Sequence, residues 1–257
     1  MVVSSPFTSD TQGVRLHKLI ADRGICSRRK AEELIRRGKV RINGKIAEVG
    51  QKAHACKDSI FIDNRRLQAF CPKRLTLMVH KPKGVLCTNS DPFHDKTIFN
   101  LLPPQYQKES LFCAGRLDKD TEGLVVLTND GILAHRLMHP SCQTVKRYRV
   151  TLDAPLDPQK VPRLLNGIIS EGECLKFDKV LLPRQKSSPP SPVCEIRLCH
   201  GRKREIRRLF RALNYRVERL IRFQVGGLCL RGLPRGAVRA LSHKEIDMIA
   251  TFESSGR

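Results

Sequence analysis

Apolar residues recur at helical spacing in two stretches near the start of the chain. Leu16, Leu19 and Ile20 share one helical face, and Ala31, Leu34 and Ile35 share another. Ser27 stands where the second helix needs an N-cap, and Gly38 supplies the left-handed residue that ends it. The pattern then switches to alternation. Residues 39–42 and 45–49 read as short strands flanking Asn43-Gly44, a type I′ hairpin signal. Two helices followed by short strands therefore predict a small module over 15–63, preceded by a tail over 1–14. Residues 64–74 carry little periodicity, two charge clusters and Pro72, which predicts a linker.

From residue 75 the pattern is longer and richer in strands. Residues 75–80 and 85–88 flank the turn sequence Lys81-Pro82-Lys83-Gly84, and the apolar run 124–128 enters another turn at Asn129-Asp130-Gly131. A helix is expected over 132–138, closed by His139-Pro140, and a strand over 146–152. Asp157-Pro158 caps a helix that ends near Gly167, and residues 193–198 form a further strand after the Pro- and Ser-rich stretch 183–192. Over 203–213 the residues Ile206, Leu209, Phe210 and Leu213 make a core face, which places Arg204, Arg208 and Arg211 on the other side. Ser242 with Glu245 forms a capping box for the last helix, and no internal repeat is found. A second domain over 75–252 is expected.

Charge narrows the function. Of 257 residues, 48 are Lys or Arg and 25 are Asp or Glu, a formal net charge of +23, while 40% are hydrophobic. The chain can build a core, so disorder throughout is excluded, and a polyanionic partner would relieve the self-repulsion. Nucleic acid and an anionic membrane surface are the two candidates. The longest apolar runs, such as 124–127, fall far short of a spanning helix. The first residues, MVVSSPFTSDTQG, lack the basic and apolar regions of a secretory signal, so a cytoplasmic protein is expected. Ten cysteines are scattered singly without a C-x-x-C pair and read as reduced core thiols. His135 and His139 have helical i, i+4 spacing but no third ligand or adjacent Glu, so no metal is expected. The Gly-rich stretch 226–236 lacks the order of a nucleotide-binding loop and reads as sheet turns.

On the first module Arg28, Arg29, Lys30, Arg36, Arg37, Lys39 and Arg41 cluster with only Glu32 and Glu33 against them. No aromatic residue interleaves them, so they suit phosphate and shape recognition of folded RNA better than stacking on single strands. The run RLHKLIADRGICSRRKAEELIRRGKVRINGKIAEVG (15–50) resembles the S4-type RNA-binding domain. That resemblance implies binding to structured RNA and no chemistry.

In the second domain, GRLDKDTEGLVVLTNDG (115–131) puts polar loop residues directly before a buried strand, a common way to present reacting groups. On composition alone an Asp there is more often a turn-former or helix cap. The segment resembles the signature of the RsuA/RluB family of ribosomal RNA pseudouridine synthases. HKPKGVLCT (80–88), LMHPS (137–141), KRYRV (146–150), GRKREIRRLF (201–210) and VERLIRFQVGGLCLRGLPRG (217–236) follow in the family's order. The resemblance implies an α+β fold, with the small α/β S4-type module followed by a mixed, mainly antiparallel sheet with flanking helices.

It also implies that Asp118 is the catalytic aspartate, that Arg207 is the guanidinium pairing with it, that Tyr148 stacks against the target base, and that Leu220 lines the uracil pocket. Arg116 is placed to fill the stack vacated by an extruded base, and Lys81 and Lys83 to add phosphate contacts. Uridine isomerisation changes neither redox state nor energy source, so no cofactor is expected. REIRRL, RLIRF and GLPRG resemble the B-type members of the family, which act on the large ribosomal subunit. This implies a large-subunit ribosomal RNA target, met in assembly intermediates by a monomer. A small-subunit synthase and a non-catalytic rRNA-binding assembly factor are the alternatives. DNA binding is disfavoured by the lack of a recognition helix or dimerisation heptads.

Overall fold

A computed structural model of the chain describes residues 13–55, 57–67, 73–88, 96–183 and 190–251. The chain divides into two compact units, Met1–Arg74 and Leu75–Arg257. Most of the expected tail, the middle of the expected linker, most of the Pro- and Ser-rich stretch and residue 252 lie outside the described residues.

The first unit runs β1 (Val14–Arg15), α1 (Leu16–Asp22), α2 (Arg28–Arg36), β2 (Val40–Ile42), β3 (Lys45–Ile46), β4 (Lys52–Ala53), β5 (Ile60–Ile62) and β6 (Arg65–Arg66). The Ser27 hydroxyl accepts from the Lys30 amide at 3.3 Å and starts α2. Positive φ at Asn43 (51°) and Gly44 (83°) turns β2 into β3. Leu16, Leu19, Ile20, Ala31, Ile35, Val40, Ile42 and Ile60 close one small core. Two boundary expectations change. Val14, expected in the tail, pairs with Ala53, and residues 64–67, expected in the linker, close a hairpin on β5 because Asp63 and Asn64 both take the left-handed turn conformation.

The second unit continues with β7 (Thr76–Lys81), α3 (Pro104–Gln107), β8 (Phe112–Cys113), β9 (Glu122–Thr128), α4 (Gly131–Met138), β10 (Lys146–Leu152), α5 (Val161–Asn166), β11 (Ile168–Ser170), β12 (Glu173–Leu175) and β13 (Lys179–Leu181). It ends with β14 (Val193–Leu198), α6 (Glu205–Arg211), β15 (Val217–Val225), β16 (Leu228–Cys229), β17 (Val238–Ala240) and α7 (His243–Thr251). Nine strands form one sheet in the order β13-β14-β10-β15-β9-β7-β17, with β16 on β15 and β8 on β9. Only β15 and β9 run parallel among the described pairs, so the sheet is mixed and mainly antiparallel.

Both faces of its centre are buried. Leu77, Val79, Val125 and Leu127 face a core that includes Leu164, Ile206, Leu209 and Phe210, while Met78, Leu124 and Val126 face one with Leu133, Leu137 and Ile249. This two-sided burial is why β7 and β9 read as near-continuous apolar runs. At the parallel crossing, Gly123 lies so close to β15 that a Cβ would stand 2.2 Å from the Arg222 carbonyl oxygen. Among the described residues no helix is long and apolar enough to cross a membrane.

Two further expectations fail. Residues 85–88 make no hairpin with β7; Leu86 bridges Thr97 instead, and the segment turns toward a cleft. Arg208 is not on an outer face of its helix. It is 7% exposed, bonded to Glu173 at 2.6 Å and to the Ser170 carbonyl, because β11 and β12 cover that side of α6.

Candidate active site

The candidate site is a cleft of about 780 Å³ in the second unit, lined by Arg116, Asp118, Tyr148, Arg207 and Leu220 among others. All five positions expected to act on the target nucleotide therefore meet in one place, although the first and the last stand 104 positions apart in the chain. Alternation explains part of this. Tyr148 on β10 pairs with Arg222, Leu220 on β15 pairs with Val150, and Tyr148 and Leu220 are 8% and 5% exposed. They form an apolar wall against which a flat base can lie.

Asp118 sits in the loop between β8 and β9, and that loop is held by its carbonyl oxygens. Arg222 donates to the Arg116 carbonyl at 3.4 Å, and the Thr121 amide to that of Asp118 at 3.0 Å. The Gly84 amide and Lys81 Nζ donate to the Lys119 carbonyl at 2.8 and 3.3 Å, and Arg207 donates to the Asp120 carbonyl at 3.2 Å. Four carbonyls of this loop are thus fixed from β7, its following turn, α6, β15 and the loop itself, while the Asp118 side chain stays exposed. Rigid backbone with a free carboxylate is the arrangement a positioned reacting group needs.

Three of these contacts differ from what the residues suggested. Arg207 does not form a direct ion pair with Asp118; its two terminal nitrogens bond the Val217 and Asp120 carbonyls. Those main-chain oxygens match the guanidinium fork and anchor it between the loop and β15, leaving attraction through space to Asp120 and Asp118. Lys81 is not a solvated phosphate ligand, for it is 0% exposed. Burial lowers its pKa, with the charges of Cys87, Asp120 and Asp118 acting the other way. Arg222, 4% exposed, bridges the Leu124 and Arg116 carbonyls and was not singled out from the sequence. Its signal was there: Leu220, Arg222 and Gln224 occupy one face of a strand, so a cation shares the inward parity of a core residue.

A buried thiol and a half-buried ammonium also lie around the cleft. The Cys87 sulfur accepts from the Leu117 amide at 3.4 Å. Its hydrogen bond with Cys113, and then that amide, pull the Cys87 thiol below its ordinary pKa against the effect of burial. Lys146 is pushed down by burial and donates to the Thr144 and Cys199 carbonyls at 3.2 and 3.4 Å. Arg116 has no carboxylate partner among the described residues and lines the cleft mouth. His135 and His139 stack ring on ring at 4.5 Å, away from any group of three metal-ligating side chains among the described residues.

In the first unit the basic cluster of Arg28, Arg29, Lys30, Arg36, Arg37, Lys39 and Arg41 lies at the surface. Lys30 and Arg37 share Glu33, and Lys39 reaches Asp63 at 3.5 Å. Arg28, Arg29, Arg36 and Arg41 have no carboxylate partner among the described residues, so the surface keeps a net positive charge for a polyanion.

The RNA pseudouridylate synthase family model matches residues 75–212, and the S4 domain model matches 14–56. A ribosomal large subunit pseudouridine synthase B of Bacillus subtilis is 34% identical over 95% of this chain and 98% of its own length. The protein of that name from Pseudomonas aeruginosa is 35% identical over 93% of this chain, which spans only 62% of that relative. A crystal structure of a pseudouridylate synthase superimposes with a TM-score of 0.65 at 30% identity, covering 92% of this chain and 100% of that one. With the family model covering β7 to α6 and the Asp118 loop, and a relative matched almost end to end, this chain belongs to the RNA pseudouridylate synthase family and carries an S4 domain ahead of the synthase domain.

Proposed function

We propose that the chain converts a uridine of large-subunit ribosomal RNA to pseudouridine, with Asp118 as the reacting carboxylate. The observation that carries the chemistry is the Asp118 loop: four fixed carbonyls, an exposed carboxylate and an apolar wall of Tyr148 and Leu220 across the same cleft. The target is carried by the relatives named for the large subunit.

In this reading the uridine is extruded from its stack, at a cost of a few kcal/mol, and Arg116 occupies the vacated space. Asp118 acts on the ribose, either adding at the anomeric carbon or removing the 2′ proton, and the bond from that carbon to N1 breaks. The uracil turns against Tyr148 and Leu220, and C5 bonds to the anomeric carbon as the Asp118 carboxylate leaves that carbon or, on the second route, returns the 2′ proton; the C5 proton then leaves with help from the Tyr148 hydroxyl while N1 gains one. Arg207 attracts the Asp118 carboxylate through space. No electron or phosphoryl group is transferred, so the isomerisation needs no cofactor. The first unit, built over 14–67, anchors the RNA through phosphates, and the unit that begins at Leu75 carries the chemistry. The chain works as a cytoplasmic monomer on partly assembled particles, where a structured loop is still accessible.

The test is pseudouridine mapping on separate small- and large-subunit RNAs. Wild type is expected to modify the large-subunit RNA. Asp118→Asn is expected to form no pseudouridine while RNA binding weakens less than about tenfold, because the amide keeps the shape without the charge. Modification confined to the small-subunit RNA overturns the target, and turnover by Asp118→Asn overturns the role of Asp118.

A further inference from the structure

Beside the cleft, a groove of about 240 Å³ is lined by Arg204, Arg207, Arg211, Tyr215, Arg216 and Val217. Arg204, Arg207 and Arg211 follow spacings of three and four, so they project from one side of α6 and of the Arg204 that precedes it. No carboxylate lines the groove. Arg204 and Arg211 have no carboxylate partner among the described residues, and Arg216 reaches the exposed Glu218 at 3.4 Å, a pair worth little in water. On the same helix the inward Arg208 is matched by Glu173 and Glu171. The acids are thus on the side that packs, and the groove cations are left facing each other. Burial and then the charge of Arg204 lower the pKa of Arg207, and its Nε is buried without a partner. Such a cluster is unfavourable by itself and complementary to an anion.

We propose that this groove is a second RNA subsite that binds a backbone phosphate of a nucleotide flanking the target uridine. It rests on the reading that the chain acts on RNA and extends it beyond the reacting nucleotide. Arg204 and Arg207 line both the cleft and the groove, so a strand leaving the cleft enters the groove without a break. Planar guanidinium forks suit phosphate oxygens. A base is the poorer occupant, because Lys160 Nζ stands 4.6 Å over the Tyr215 ring and the Tyr215 hydroxyl already accepts from the Asp157 amide at 3.1 Å. Tyr215 is a braced floor, and Lys160 adds to the positive field.

The experiment is a double-mutant cycle between protein and RNA. Each phosphate within three nucleotides of the target is replaced in turn by a neutral methylphosphonate, and Kd is measured for wild type and for Arg211→Gln, with pseudouridine formation by wild type on the unmodified RNA as reference. At one flanking position the replacement is expected to weaken wild type at least fivefold and Arg211→Gln less than twofold. Arg211→Gln is also expected to reduce the slope of log K against log salt by about 0.7, the value for one single-strand phosphate, while Arg211→Lys restores it. Thermal melting of both variants establishes that they fold. If wild type forms pseudouridine but the losses add at every position, the groove assignment is overturned and the proposed function stands. If neither ribosomal RNA is bound or converted, both fall.

Discussion

Lys81→Met separates stability from catalysis in a way that tests how the Asp118 loop is held. The ammonium is fully buried and donates to the Pro82 and Lys119 carbonyls at 3.0 and 3.3 Å. Two charge-assisted bonds at about 1.5–3 kcal/mol each give about 3–6 kcal/mol, and desolvating one ammonium costs several kcal/mol. Methionine matches the chain length and removes both terms. The folding free energy is therefore expected to change by no more than about 2 kcal/mol, a Tm shift under about 8 °C for a chain of this size.

The loop should respond differently. After the substitution Lys119 keeps only the Gly84 amide at 2.8 Å on its carbonyl, and a displacement near 1 Å at a reacting group costs about a hundredfold in rate. Single-turnover pseudouridine formation at saturating enzyme is expected to fall about a hundredfold, with RNA Kd changed less than about threefold, since a residue without exposed surface makes no phosphate contact. The pH dependence has a definite sign. Burial lowers the folded-state pKa of Lys81 below its ordinary 10.5. Its contribution to stability is therefore least favourable where both states are protonated, and it improves as pH rises from the lowered value toward 10.5. Wild type should gain on Lys81→Met across that alkaline window. Chemical denaturation at several pH values with rapid-quench kinetics measures both effects. A full-rate variant refutes loop anchoring, and a Tm loss above about 15 °C refutes the cancellation.

Gly123→Ala forces a Cβ to 2.2 Å from the Arg222 carbonyl oxygen at a φ of 119°. A loss of about 4 kcal/mol is expected in thermal denaturation, and a loss below about 1 kcal/mol refutes the close crossing. The hydrogen bond from Arg239 holds Glu245 down at about 2. Its stabilisation is present above the ordinary carboxylate value of 4.5 and is lost as pH falls toward 2. For this partly exposed pair that is about 1 kcal/mol, so Glu245→Gln should flatten the acid limb of the stability curve by that amount. Replacing Arg28, Arg29, Arg36 and Arg41 together by Gln should lower RNA affinity and reduce the salt slope by about 0.7–0.9 for each phosphate no longer neutralised; an unchanged slope removes this surface from the interface.

Local signals carried most of the fold. The strands expected over 146–152 and 193–198 form β10 and β14 at those bounds, the Asn43-Gly44 turn marked the hairpin of the first unit, and Ser242 with Glu245 capped α7 as expected. Such features depend on neighbours a few residues apart, so they are legible in one dimension. The composition of the cleft was legible only through the family's motifs, because its walls come from β10, α6, β15 and the β8–β9 loop, and the bonds that join them reach across 106 positions, as between Arg222 and the Arg116 carbonyl. Where each cation is used was decided by tertiary structure alone. Lys81, Arg207, Arg208 and Arg222 look alike in a chain with 48 basic residues. Full or partial burial against main-chain carbonyls makes Lys81, Arg207 and Arg222 anchors of the Asp118 loop, a carboxylate wall makes Arg208 a packing residue, and Arg204 and Arg211 on the open side face the groove proposed for an anion. The physical reason is that a cation's role follows from what surrounds it when water is removed, and that environment is assembled from distant segments.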